Sequence, residues 1–95
     1  MATIAEQLRN ELSKEFAKVS DQLDADVCRQ IKIWGEAYVK HTSRNDIDFA
    51  MDGSQPCLGE RLFDAARRHY TEQGFKFRID YSPMGTIKRG FFVSL

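Results

Sequence analysis

Large apolar residues in the first 42 positions fall at Ile4, Leu8, Leu12, Phe16, Val19, Leu23, Val27, Ile31, Trp34 and Tyr38. Steps of four and three trace one stripe down a helix. Glu6, Arg9, Glu11, Lys14, Glu15 and Lys18 make the opposite, solvated face, with Glu15 and Lys18 at a favourable spacing. Ser20 and Asp24 are each able to cap a second helix, and Asp21, Asp24 and Asp26 suit its positive N-terminal end. The stripe nevertheless keeps phase through residues 19–27, where there is no Gly or Pro. The pattern predicts one continuous or gently kinked helix from about Thr3 to about His41, with a helical hairpin as the alternative. Such a helix is about 55–60 Å long at 1.5 Å per residue, and the remaining chain cannot cover all of its stripe. Either it folds back, or its N-terminal half packs against another chain. The steps are too long for the 3.5-residue repeat of a left-handed coiled coil.

Beyond the polar His41-Thr-Ser-Arg-Asn loop, the alternation of Asp46 and Asp48 with Ile47, Phe49 and Met51 predicts a short half-buried strand over 46–51. Asp52-Gly53-Ser54-Gln55-Pro56 reads as a turn into a helix, with Ser54 or Gln55 as cap and Pro56 in the first turn. That helix runs to about Gln73, burying Leu58, Leu62, Ala65 or Ala66, and His69 or Tyr70, and Gly74 supplies a left-handed cap. Phe75-Lys-Phe-Arg-Ile-Asp-Tyr81 alternates without exception between apolar and charged. Ser82-Pro83-Met84-Gly85 fits a type I turn with a glycine bulge, and a return strand follows from Thr86 to Val93. The register expected sets Tyr81 against Ile87, Asp80 against Lys88, Phe77 against Phe91 and Phe75 against Val93.

The expected architecture is therefore α+β: a long N-terminal helix (or helical hairpin) over 1–42, then β-α-β-β over 43–95. A three-stranded mixed sheet carries its helices on one face. The strand–helix–strand unit is expected to cross over right-handed, with its two strands parallel. A chain of 95 residues amounts to one domain.

Composition narrows the function. The formal net charge is +0, which argues against partners recognised by bulk charge. Two cysteines, Cys28 and Cys57, are too few for a disulfide framework. No apolar run reaches the ~20 residues of a membrane span, and the first residues lack the pattern of a secretion signal. A cytoplasmic protein is expected, with no cofactor.

Candidate chemistry is sparse. Cys57 in a helical first turn would have its thiol pKa lowered by the dipole, but nothing places His69 or His41 beside it, and small buried cysteines explain both thiols. Asp46, Asp48 and Asp52 lack the ligand order of a calcium loop. Neither histidine has a partner at zinc spacing, so no metal site is expected.

Two surfaces remain. The first is the stripe of Leu8, Leu12 and Phe16, with Ile4 at its tip, joined on the open sheet face by Arg78 and Phe92. These residues suggest a non-enzymatic protein–protein interaction module, in the style of small inhibitors or adaptors such as those of bacteriophages. It would act by steric occlusion or scaffolding, with a homo-oligomer as one outcome. The alternative is a small nucleic-acid-binding domain. It would use Lys76, Arg78, Lys88 and Arg89, with Phe92 as a stacking platform, or a winged-helix-like hairpin with residues 55–73 as the recognition helix. The charges of that helix cancel, which weakens the winged-helix form.

Overall fold

The computed structural model describes residues 3–42 and 48–95. It begins with one uninterrupted helix, α1 (Ile4–Trp34). Thr3 caps it, with Oγ1 accepting from the Glu6 amide at 3.1 Å. Ser20 starts no second helix; its hydroxyl bonds back to the Ala17 carbonyl at 3.1 Å. The helix ends at Trp34 rather than near His41. Gly35 adopts φ 81° and its amide donates to the Ile31 carbonyl at 2.7 Å, the left-handed termination that favours glycine.

From Gly35 the chain turns back under α1 as β1 (Glu36–His41). Ala37 and Val39 are fully buried against Phe16, Leu23 and Val27 of the helix. The helical stripe and the strand alternation coincide at Tyr38, which hid this change of period in the sequence. Trp34, on the apolar stripe of the sequence, is 66% exposed.

The second departure lies at residues 55–58. Asp52 and Gln55 pair across a two-residue loop in which Gly53 has φ 64°, the position a hairpin turn of type II′ gives to glycine. The segment read as a helix start is thus a hairpin of β2 (Phe49–Asp52) and β3 (Gln55–Leu58). Asp46 and Ile47 of the expected strand lie outside the described residues. A single 3-10 turn (Glu60–Leu62) then leads into α2 (Phe63–Glu72), and Gly74 takes φ 93° after it.

With β4 (Lys76–Tyr81) and β5 (Lys88–Ser94), the described residues form a five-stranded mixed sheet in the order β2-β3-β1-β5-β4. Two of its strands replace stretches expected to be helical. β1 is central, parallel to β3 and antiparallel to β5. The 46–51 strand does not run parallel to β4 as expected; β2 is antiparallel to β3 and lies at the opposite edge. Both helices cover one face, where Leu58, Leu62, Phe63, Tyr70, Phe91 and Val93 complete the core.

The C-terminal hairpin keeps its expected faces but slides by two residues. Phe77 pairs with Val93, Ile79 with Phe91 and Asp80 with Gly90, and a bulge then sets Tyr81 against Lys88. The type I turn itself is present, with the Gly85 amide donating to the Ser82 carbonyl at 2.8 Å. The extra residue is Arg89 in β5 rather than the turn glycine. Gly90 is required beside it, because a Cβ there would lie 2.6 Å from the Tyr38 hydroxyl and collide with the Val39 carbonyl. A slide of two preserves which side chains face the core, so alternation alone did not distinguish the registers.

One polar contact completes the central strand. Continuing the β1–β3 ladder past Lys40 would require Pro56 to donate to the Tyr38 carbonyl, and proline has no N–H. Side chains take over. Gln30 of α1, 5% exposed, accepts from the Tyr38 amide at 3.1 Å and donates to its carbonyl at 3.2 Å, and Gln55 Nε2 also donates to that carbonyl. Gln30→Leu leaves a buried amide unpaired and is expected to cost about 1–3 kcal/mol in urea unfolding. An unchanged midpoint would show that the contact is dispensable.

Candidate partner-binding surfaces

Strands of six and seven residues span about 20–23 Å, while the 31 residues of α1 span about 46 Å. The surplus lies at the N-terminal end. Every residue from Thr3 to Glu11 is exposed, with Ile4 at 77% and Leu8 at 53%. Leu12 is partly buried against the core. Phe16 is inside it at 4% exposure, edge-on to the His69 ring at 5.3 Å. Of the expected anchors, Leu8 therefore stands free, Leu12 sits at the margin, and Phe16 holds the helix to the body.

α2 fixes α1 from the side. Asp24 accepts from the Tyr70 hydroxyl at 2.8 Å and lies 3.2 Å from His69 Nε2. Burial, reinforced by the Asp24 contact, pushes the Tyr70 phenol well above its ordinary range, so it remains a neutral donor. Arg68 donates to Ser13 Oγ at 2.9 Å. Between the helices lies a groove of about 370 Å³ lined by Ser13, Phe16, Ala17, Arg68 and His69 among others. At one end of the sheet, Arg61 bridges Asp48, at 2.6 Å, and Glu15 of α1. These two carboxylates raise its guanidinium pKa further, Asp48 first.

The open sheet face departs from the expected basic platform. Arg78 lies 4.3 Å over the Phe92 ring and 3.6 Å from Glu36. Tyr38 packs on the other flank of Phe92 at 4.7 Å and donates to Asp80 at 3.0 Å. Burial first, then the Asp80 contact, raises the Tyr38 phenol. Phe92, out of pattern in the sequence, is thus covered by an arginine and a tyrosine. The bulge at Arg89 turns Lys88 to the helix side, 3.9 Å from Glu60. Lys76 and Arg78 stay on the open face with Glu36 and Asp80, and the charge of Arg89 lies close enough to the Tyr38 hydroxyl to oppose the rise of its pKa. Of the four basic residues, Lys88 therefore leaves the row and the other three share it with two carboxylates. Residues 55–58 of the winged-helix reading are β3, and α2 buries Phe63, Ala65, Ala66 and Tyr70 in the core, leaving Arg67 paired with Asp64 at 2.6 Å.

Cys57 is on β3, beside Lys40 and Asp52, and burial pushes its thiol up. His69 sits among the helices on the other face, contacting Phe16 and Asp24. Among the described residues no group of three or more His, Cys, Asp or Glu could hold a metal ion, and no helix is long and apolar enough to cross a membrane. Comparison of the chain with known protein families, with curated proteins and with solved structures found no match.

The projecting helix end was legible in part: the stripe was visible, but where the core stopped depended on the hidden strand after Gly35. The Arg78–Phe92–Tyr38 stack is not legible in the sequence, because Tyr38 also continues the helical step from Trp34. The two thiols offer a direct check. Cys28 is exposed and Cys57 buried, so one thiol per folded chain should react rapidly with Ellman's reagent and the second only on unfolding. Two equally rapid thiols would contradict the placement of β3.

Proposed function

We propose that this chain is a non-enzymatic protein-interaction module that docks on a larger partner through the projecting N-terminal turns of α1. The observation that carries the reading is the exposure of Ile4 and Leu8 on a helix whose own sheet ends short of them. Burying two such side chains yields roughly 1.5–3 kcal/mol each. A stripe at i, i+4 and i+8 is the form in which a helix lies in an apolar groove. Leu12 closes the stripe at the body of the domain, while Asp24, His69 and Tyr70 hold α1 in direction. The body, 30 × 23 Å across its shorter axes, would then occlude the partner's surface next to the groove or scaffold a second component there. The sheet face contributes less, since Arg78 and Phe92 cover one another.

The test is site-specific photo-crosslinking from position 5 in the source cell, with Leu8→Asp as the paired variant. A discrete crosslinked partner is expected for the parent sequence, its yield falling at least tenfold with Leu8→Asp while the thermal midpoint is unchanged. No discrete product, or a product indifferent to Leu8→Asp, would overturn the proposal.

A further inference from the structure

A second surface, separate from α1, is the free edge of β4. The strand closes one side of the sheet, so among the described residues its outer row of N–H and C=O groups has no strand beside it. Edges are commonly blunted by proline, by a bulge or by charges pointing inward. β4 has none of these, though Lys76, Arg78 and Asp80 place charges along its open-face row. It is six residues without Pro or Gly, and the extra residue of the bulge belongs to β5. Its helix-side row is wholly apolar, Phe77, Ile79 and Tyr81. Phe77 and Ile79 are only partly buried although they pack on the core, and Tyr81 is 49% exposed. The opposite edge strand, β2, has four residues.

We infer that β4 pairs antiparallel with β4 of a second copy of this chain, about a two-fold axis through Ile79, joining the two sheets into one. The argument is the self-complementarity of the strand. A two-fold that keeps both sets of helices on one face sets residues of the same row opposite each other. Centred on Ile79, it places Arg78 opposite Asp80 of the second copy, twice, and Phe77 opposite Tyr81, twice, with Ile79 against itself. Directly opposed pairs of this kind stabilise a sheet, and like charges destabilise it. Centring on Arg78 sets Arg78 against Arg78; centring on Asp80 sets Asp80 against Asp80; centring on Phe77 sets Lys76 against Arg78. The Ile79 register alone among these four sets Arg78 opposite Asp80 with no like charges face to face; Lys76 falls opposite Ser82. Arg78 keeps 67% of its side chain exposed, but it lies over Phe92 and Asp80 accepts from Tyr38, so the pairing requires both side chains to turn outward toward the edge.

Sedimentation velocity over a concentration series tests the inference. The parent chain is expected to dimerise. Arg78→Asp and Asp80→Arg, each of which sets like charges face to face, should weaken the dimer at least tenfold. The double variant, which restores opposite charges in the reversed order, should recover it. Leu8→Asp should leave the dimer intact, which separates this contact from docking through α1. Because Arg78 and Asp80 also touch Phe92 and Tyr38, a second measurement avoids both. Ile79→Cys in a Cys28→Ser background should form an intermolecular disulfide on oxidation, and Lys76→Cys should not. A monomer at concentrations up to about 1 mM, a dimer indifferent to both single variants, or one lost with Leu8→Asp would overturn the inference.

Discussion

The length of α1 relative to the sheet beneath it governs the rest of the molecule. A helix rises about 1.5 Å per residue and a strand about 3.3 Å, so six- and seven-residue strands cover only about half of a 31-residue helix. Which half is covered is set at Gly35. The chain reverses there into the central strand, and burial is therefore continuous from the C-terminal half of α1, through Val27, Leu23 and Phe16, and fades at Leu12. Among the described residues the first two turns are supported by the Thr3 cap and by helical hydrogen bonds alone. The exposed stripe that carries the functional proposal is a consequence of this geometry.

The same reversal creates a demand at the other end of β1. As the central strand, β1 needs partners on both sides, and Pro56 withholds one of them. Gln30 and Gln55 meet the demand at Tyr38, and with its backbone held there, Tyr38 lies across Gly90 to reach Asp80. That contact depends on glycine in β5 and on the bulge beside it, and the bulge is what turns Lys88 away from the open face. The bulge thus takes Lys88 out of the basic row on which the nucleic-acid reading rested.

The sequence was readable where one period ruled and misleading where two overlapped. The α1 stripe from Leu12 to Ile31, the Gly74 cap, the Ser82–Gly85 turn and the faces of the C-terminal hairpin all follow from local pattern. Residues 36–41 do not, because Tyr38 satisfies the helical step from Trp34 and the strand alternation equally; the discriminating residue was Gly35. Residues 55–58 were obscured by Pro56, as much at home in a helical first turn as in this strand. The two-residue slide of the hairpin is invisible to alternation and is decided by a long-range contact, the Tyr38 ring over Gly90.

If α1 is a rod anchored only from Leu12 onward, its backbone hydrogen bonds should differ in protection along its length. Amide hydrogen exchange, followed residue by residue by NMR in dilute protein, measures this directly. The amides of Leu8, Arg9 and Asn10 are expected to exchange orders of magnitude faster than those of Leu23 and Val27, which open only with the whole domain. Uniform protection from Leu8 to Val27 would contradict the account, since it would require the N-terminal turns to be held by the body of the protein.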